Sequence, residues 1–212
     1  MKTRIFNLII IDESGSMQSI KKAAIDSVNE TIQTIRSAKK KHEEQEHYVS
    51  LVTFNDDVKT IYECVPVDEV KELTADTYQP DCCTALYDAM GISLNALRKK
   101  VAEDDKVLVT AVTDGYENAS KEYSGKAIKA LVDELKAKGW VFAYIGANQD
   151  VEAVAATISI TNVMQFEASD CGMKKLNNTL GSSRSRWFSK IAKGMSSAVE
   201  DNCDFFAEDD EF

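Results

Sequence analysis

Oxygen-bearing side chains alternate along the chain directly after an apolar run near its start. The run covers residues 9–11, and Asp12, Ser14 and Ser16 follow it. The apolar residues fit a buried central strand, and the polar residues fit a loop in which three side chains face one centre. Carboxylate and hydroxyl oxygens suit Mg²⁺, Mn²⁺ or Ca²⁺ better than zinc or copper, which prefer nitrogen and sulfur. An ordinary loop is the alternative, because Ser and Asp are frequent in loops.

Two later segments carry the same kinds of side chain. An apolar run over residues 107–112 is followed by Asp114 and Gly115, and Thr84 stands at the start of a helical pattern. Ligands of an open parallel sheet lie outside the carboxyl ends of its strands, so we expect Asp12 and Asp114 to face one crevice. The three segments together predict a divalent metal site.

This combination of motifs resembles the von Willebrand factor A domain and its metal-ion-dependent adhesion site. The family's first motif, D-x-S-x-S, stands here as Asp12, Ser14 and Ser16. Its threonine matches Thr84 within T-A-L-Y-D-A, and its second acid matches Asp114 within V-T-D-G. The resemblance is strong over residues 4–166 and weaker through the final helices.

One segment departs from the family pattern. The residues before the family threonine are usually small and often include glycine, whereas this chain has Asp81, Cys82 and Cys83 there. The resemblance therefore defines the loop at Thr84 less closely than the loop at Asp12.

The resemblance implies a fold, a ligand set and a function. The implied fold is a Rossmann-like α/β domain, with a doubly wound, mostly parallel central sheet, one antiparallel edge strand and helices on both faces. In the family, the two serines contact the metal, the threonine binds directly or through water, and the acids act largely through water. A metal with neutral ligands stays short of negative charge, so its open position favours a carboxylate from a protein partner. The implied function is a metal-dependent protein-binding module without catalytic activity.

Strand and helix patterns alternate along the chain, as a doubly wound sheet requires. Residues 48–54 and 58–67 form a predicted hairpin, and Pro66 near the end of its second strand is typical of an edge strand. Two further predicted strands cover residues 140–145 and 162–166. The predicted helices cover residues 20–35, 86–101, 128–135, 151–158, 173–180 and 187–199, with an interruption at Ser182 and Ser183 between the last two.

Length, composition and charge favour one acidic domain. The chain has 212 residues, 44% of them hydrophobic, and a formal net charge of −10. This charge disfavours nucleic acid and anionic membranes as partners. No run approaches the ~20 apolar residues of a membrane span, and the first residues do not form a secretory signal. The five cysteines have no framework spacing, so we expect a reducing, cytoplasmic location.

Two other functions fit parts of the sequence. A strand that ends in an acid also resembles the Mg²⁺-dependent phosphatases of the haloacid-dehalogenase type. Those enzymes need a second acid two residues later, where this chain has Ser14, which cannot transfer protons in that role near neutral pH. The only histidines, His42 and His47, are expected at the surface, away from the crevice. A structural domain with a vestigial metal site is the other alternative, and its metal affinity would distinguish it.

We expect one domain over residues 1–200 and an acidic tail over residues 201–212. The tail mixes dense acid with Phe205, Phe206 and Phe212, and two alternatives are open for it. It is a solvated end, or its aromatic residues dock onto a partner or onto the domain. In the second case, a tail carboxylate could complete the metal shell of a neighbouring molecule, which predicts self-association. The helix surface before the tail is expected to be basic, with Lys174, Lys175, Arg184, Arg186, Lys190 and Lys193.

Overall fold

A computed structural model describes residues 2–147, 150–167 and 169–207 of the chain. Its strands are β1 (Thr3–Asp12), β2 (Gln45–Phe54), β3 (Val58–Pro66), β4 (Lys106–Thr113), β5 (Val141–Gly146) and β6 (Asn162–Gln165). They form one sheet in the order β3-β2-β1-β4-β5-β6, in which only the pair of β2 and β3 is antiparallel. The predicted mostly parallel sheet with one antiparallel edge strand is confirmed.

Helices connect the parallel strands. The described residues form the α-helices α1 (Lys21–Lys41), α2 (Leu86–Leu97), α3 (Gly125–Ala137), α4 (Val151–Thr157), α5 (Asp170–Ala192) and α6 (Ala198–Asp204). The predicted extension of the second helix to Val101 is wrong, because Lys100 N donates to Leu97 O and closes a turn there. None of the described helices combines the length and apolar composition that a membrane crossing requires.

The sheet is buried on both faces, which explains why its central strands are almost wholly apolar. Successive side chains of a strand point to opposite faces. In β1, Ile9 and Ile11 therefore pack in the layer that contains α1 and α5, and Leu8 and Ile10 pack in the layer of α2 and α3. The result is the expected Rossmann-like α/β fold with helices on both faces.

The predicted interruption at Ser182 and Ser183 is wrong, because α5 runs unbroken through both residues. The hydroxyl of Ser182 donates to the carbonyl of Thr179 within the helix, at 3.0 Å, and Ser183 is buried. The helix ends instead just before Gly194, whose φ of +68° lies in the left-handed region that glycine adopts without strain.

Two residues that the sequence places at the surface, His47 of β2 and Arg184 of α5, are buried between α5 and the sheet. His47 packs edge-on against Phe188, with ring centroids 4.6 Å apart, and burial lowers its pKa to about 4. Arg184 is only 1% exposed, and its Nη2 donates to Thr110 Oγ1 at 3.0 Å. Burial lowers the pKa of Arg184 to about 10. Both surface predictions are wrong because α5 covers the middle of the sheet.

The first part of the predicted acidic tail packs against the domain. Asn202 accepts a hydrogen bond from Phe142 N at 3.0 Å and donates to Trp140 O at 2.8 Å. Phe205 is buried in the same region. The docked alternative therefore holds for residues 201–207, at the end of the sheet where β5 begins. The rest of the tail, residues 208–212, lies outside the described residues.

Candidate metal site

The loops that carry the predicted ligands follow neighbouring strands. Strand β1 lies between β2 and β4 and runs parallel to both, with Ile11 paired to Val112 of β4. Asp12 ends β1, and Asp114 follows the last residue of β4. Because parallel strands end at the same edge of a sheet, the fold brings these two acids to one side of the domain.

Asp12 is fully buried, and both of its carboxylate oxygens accept hydrogen bonds. Ser14 N donates to Asp12 Oδ1 at 2.7 Å, so the loop folds back on the carboxylate. Thr113 Oγ1 donates to Asp12 Oδ2 at 2.5 Å, which ties the end of β1 to the end of β4. The hydroxyl of Tyr78 donates to the main-chain carbonyl of Asp12. The position of this acid is therefore fixed from three directions.

The two serines link the first acid to the second. Ser14 Oγ lies 3.2 Å from Ser16 Oγ, and Ser16 Oγ donates to Asp114 Oδ1 at 2.5 Å. Ser14 and Asp114 are buried, whereas Ser16 is exposed. Four of the five predicted ligands thus form one connected group that opens to solvent at Ser16.

Thr84 reaches the same group from the other side. A Cβ atom built on Gly115 would lie 2.9 Å from Thr84 Oγ1, 3.6 Å from Ser16 Oγ and 3.8 Å from Asp12 Oδ2. Oxygen atoms of Asp12, Ser16 and Thr84 therefore surround one small space beside Gly115. Because glycine has no side chain, that space stays open. The structure brings all five predicted residues together.

The loop before Thr84 is fastened to the Asp12 loop by main-chain hydrogen bonds. Gly15 N donates to Cys82 O at 3.2 Å, and Asp81 N donates to Glu13 O at 2.9 Å. Cys82 has a φ of +65° and an exposed side chain. The loop at Asp81-Cys82-Cys83 therefore contains a left-handed residue, and Thr84 lies next to the other candidate ligands.

Burial raises the pKa of both acids. The pKa of Asp12 rises to about 6 because burial disfavours the charged carboxylate, although hydrogen bonds from Ser14 and Thr113 oppose the shift. The pKa of Asp114 is also raised by burial, and the hydrogen bond from Ser16 opposes that shift. Two buried acids in one group form an environment in which a bound cation would stabilise their charged forms.

The donor set fits a hard divalent cation. It consists of hydroxyl and carboxylate oxygens only, which are the ligands that Mg²⁺, Mn²⁺ and Ca²⁺ prefer. Within the described part of the chain, no group of three or more His, Cys, Asp or Glu side chains could hold a metal ion. Beside the two acids, the candidate ligands are the hydroxyls of Ser14, Ser16 and Thr84.

Sequence reasoning missed three residues that shape the site. Thr113 positions the Asp12 carboxylate, Gly115 leaves the central space open, and Asn118 accepts a hydrogen bond from Thr84 N at 3.0 Å. Thr113 and Gly115 flank Asp114 inside the V-T-D-G motif, so that motif could have indicated them. Asn118 has no such local pattern, because its partner lies 34 residues earlier in the chain.

Solved structures share this fold at low sequence identity. Proximal thread matrix protein 1 from the mussel byssus has a TM-score of 0.57 and 17% identity, over 86% of this chain and 46% of that protein. The ArnB paralog VWA2 from Sulfolobus acidocaldarius has a TM-score of 0.58 and 18% identity, over 85% and 45%. A von Willebrand factor type A protein from Catenulispora acidiphila has a TM-score of 0.56 and 12% identity, over 85% and 42%. The chain spans less than half the length of these three proteins.

Sequence comparison identifies the family directly. No curated protein matches the chain. A model of the von Willebrand factor type A domain matches residues 8–179, which include all five candidate ligands and most of the fold. The chain belongs to the von Willebrand factor type A domain family.

Proposed function

We propose that this domain binds a protein partner through a divalent cation, Mg²⁺ or else Mn²⁺ or Ca²⁺. Domains of this family generally act as interaction modules. The residues that would hold the cation are Asp12, Ser14, Ser16, Thr84 and Asp114. The observation that carries the proposal is the open space beside Gly115, which oxygen atoms of two other loops approach within 4 Å.

The charge of the ligand set defines the chemistry of the partner. Three of the five candidate ligands are neutral hydroxyls, and the two acids act largely through water in the family. A cation held in this way supplies positive charge that a carboxylate of the partner can bind. The net charge of −10 does not prevent this, because diffuse repulsion is screened over about 8 Å at physiological salt. A protein that presents an acidic side chain is therefore the proposed partner, in preference to nucleic acid or membrane.

Thermal unfolding with Mg²⁺ or Mn²⁺ tests the metal site. At a concentration 100 times the dissociation constant, we expect the cation to raise the melting temperature by roughly 5–10 °C. Asp12→Ala should remove most of this shift, because it deletes one of two charges in the site. Asp104→Ala is the matched control, since Asp104 is exposed and precedes β4 at the opposite end of the sheet. Equal shifts in the two variants would contradict the proposal.

A pull-down in Mg²⁺ and in chelator tests the partner chemistry. A partner that binds through the cation should be retained by the wild type and Asp104→Ala only when Mg²⁺ is present. Asp12→Ala should fail to retain it. Substitution of the partner's acidic residues by amides should then identify one whose loss abolishes binding. Retention that is insensitive to chelator would count against a metal-bridged contact.

The phosphatase alternative has less support. Its nucleophile would be Asp12, which is fully buried and accepts hydrogen bonds at both oxygens. Assay of a generic phosphoester with Mg²⁺, for the wild type and Asp12→Asn, separates the phosphatase from the interaction module.

The alternative of a structural domain with a vestigial metal site would give no metal-induced shift in the melting temperature of the wild type. A cytoplasmic location is part of our proposal, and the five free cysteines support it.

A further inference from the structure

The segment that follows Asp114 is hydrogen-bonded to the start of α2, and this contact includes Thr84. Asn118 N donates to Thr84 O, and Thr84 N donates to Asn118 Oδ1, both at 3.0 Å. Ala119 N also donates to Thr84 O, at 3.2 Å. The main-chain N–H and carbonyl of Thr84 are thus both hydrogen-bonded to Asn118 and Ala119, which follow Asp114.

Glu117 strengthens this contact. Its Oε2 accepts from Tyr87 N at 2.9 Å and from Ser120 Oγ at 2.7 Å. Its Oε1 accepts from Ala119 N at 3.0 Å and from Ser120 N at 2.8 Å. The first N–H groups of a helix lack partners within the helix, and a negative charge near them is favourable. Glu117 therefore binds the start of α2 and its own turn with one carboxylate.

Asp88 makes the reciprocal contact from α2. Its carboxylate accepts from three successive main-chain groups, Lys121 N at 2.7 Å, Glu122 N at 2.9 Å and Tyr123 N at 2.8 Å. Its own N–H donates to Ser120 Oγ at 3.0 Å. Hydrogen bonds to charged acceptors are stronger than neutral ones. We call the group of Asp88, Glu117, Asn118 and Ser120 the clasp.

Each oxygen of Glu117 already accepts two hydrogen bonds, so this carboxylate serves to hold residues 117–120 against the start of α2. We infer that Glu117, Asp88 and Asn118 are positioning residues, which fix the Thr84 hydroxyl relative to Asp114 and thereby set the affinity for the cation. This inference rests on the proposed function. Groups that orient metal ligands without touching the metal typically alter affinity by 10–100-fold when they are removed.

Glu117→Gln tests the inference with little change in shape. Mn²⁺ is titrated by calorimetry, well below the melting temperature of each variant. We expect Glu117→Gln to raise the dissociation constant roughly tenfold or more, because its amide group faces N–H donors. Glu122→Gln is the matched control, since the side chain of Glu122 is exposed and only its main chain contacts the clasp. That variant should bind Mn²⁺ as the wild type does.

A double-substitution cycle distinguishes positioning from general destabilisation. If Glu117 acts through Thr84, then Glu117→Gln should change the Mn²⁺ dissociation constant less than twofold when Thr84 is already alanine. A general loss of order would weaken binding equally in both backgrounds. Where Glu117→Gln fails to fold, Asn118→Ala takes its place, because it removes a single side-chain bond to Thr84 N.

The outcomes separate the two proposals. Absence of Mn²⁺ binding in the wild type would overturn the proposed function, and the clasp inference with it. Binding in the wild type that is unchanged by Glu117→Gln and Asn118→Ala would overturn the clasp alone. The clasp would also be rejected if Glu117→Gln kept its full effect in the Thr84→Ala background.

Discussion

Gly115 is the residue on which the open space in the candidate site depends most directly. A methyl group there would lie 2.9 Å from Thr84 Oγ1, closer than side-chain carbons normally approach an oxygen. Gly115→Ala should therefore abolish the Mg²⁺-induced rise in melting temperature while the metal-free domain stays folded.

Gly15→Ala provides the matched control for that prediction. The added Cβ would lie 3.4 Å from Cys82 O, an ordinary contact, and would enter no space between candidate ligands. We expect this variant to keep its response to Mg²⁺. A normal response in Gly115→Ala would mean that any cation binds elsewhere.

The raised pKa of Asp12 predicts how metal response depends on pH. Its pKa in the folded, metal-free domain is about 6, above the ordinary value of 3.8. Protons should therefore compete with the cation below about pH 6, and the Mg²⁺-induced shift should shrink as the pH falls from 7 to 5. Thermal unfolding at several pH values measures this, and a shift that is constant over the range would contradict it.

The same pKa predicts the stability of the metal-free domain. Because the folded pKa is raised, protonation of Asp12 favours the folded state, and its contribution is complete below about pH 3.8 and lost as the pH rises through 6. The wild type should therefore gain stability relative to Asp12→Asn between pH 7 and pH 4, by on the order of 2–3 kcal/mol. Denaturant unfolding of both proteins across this range measures the difference, which should be absent if Asp12 has an ordinary pKa.

At the scale of elements, Gly91 of α2 lets the ring of Tyr123 pack closely against the helix. A Cβ on Gly91 would lie 2.4 Å from the ring of Tyr123, whose hydroxyl accepts a hydrogen bond from Asn95 Nδ2 at 3.1 Å. Helix propensity alone predicts that alanine stabilises this position by about 1 kcal/mol. The clash predicts that the free energy of unfolding falls by about 1–3 kcal/mol. We expect the clash to dominate in Gly91→Ala, since Asn95 holds the ring and Asp88 holds the main chain of Tyr123.

Gly181→Ala in α5 is the control with the opposite expectation. Its added Cβ would lie 3.6 Å from Thr34 Oγ1 of α1, which is an ordinary contact. This variant should be neutral or slightly stabilised in denaturant unfolding, whereas Gly91→Ala should be destabilised. A stabilised Gly91→Ala would show that Tyr123 moves aside at low cost.

For the whole molecule, the docked end of the chain predicts where truncation is tolerated. A chain that ends after Ala207 keeps the contacts of Asn202 and Phe205 and is the reference for a shorter chain. A chain that ends after Glu200 loses Asn202 and Phe205, so it exposes core and removes the side-chain partner of Phe142 N in β5 and of Trp140 O just before it. The free energy of unfolding of this shorter chain should be lower by about 3 kcal/mol or more. Circular dichroism on heating measures both, and equal melting temperatures would refute the prediction.

The predicted self-association can be tested with the chain that ends after Ala207. In the version that this chain tests, a carboxylate among residues 208–212 completes the metal site of a neighbouring molecule. Size exclusion with and without Mg²⁺ should then show an oligomer for the full chain and none for the chain that ends after Ala207. The same elution volume for both chains in Mg²⁺ would remove this prediction.

Local patterns in the sequence determined the frame of the molecule. The apolar run before Asp12 and the one before Asp114 specified buried parallel strands, because a strand covered on both faces must be apolar throughout. The loops after such strands lie at one edge of the sheet, so the strand pattern alone predicts that their acids lie together. Ser14 and Ser16 followed from their spacing within one loop.

Only the tertiary structure decided which residues surround that frame. The burial of His47 and Arg184, the unbroken course of α5 and the clasp around Thr84 each depend on contacts between segments far apart in the chain. Asn118 lies 34 residues from Thr84, and Arg184 lies 74 residues from Thr110. The periodicity of apolar side chains indicates which face of a helix or strand is buried. It does not indicate which other element packs against that face. Such contacts are therefore set when the layers pack, and the sequence pattern alone could not predict them.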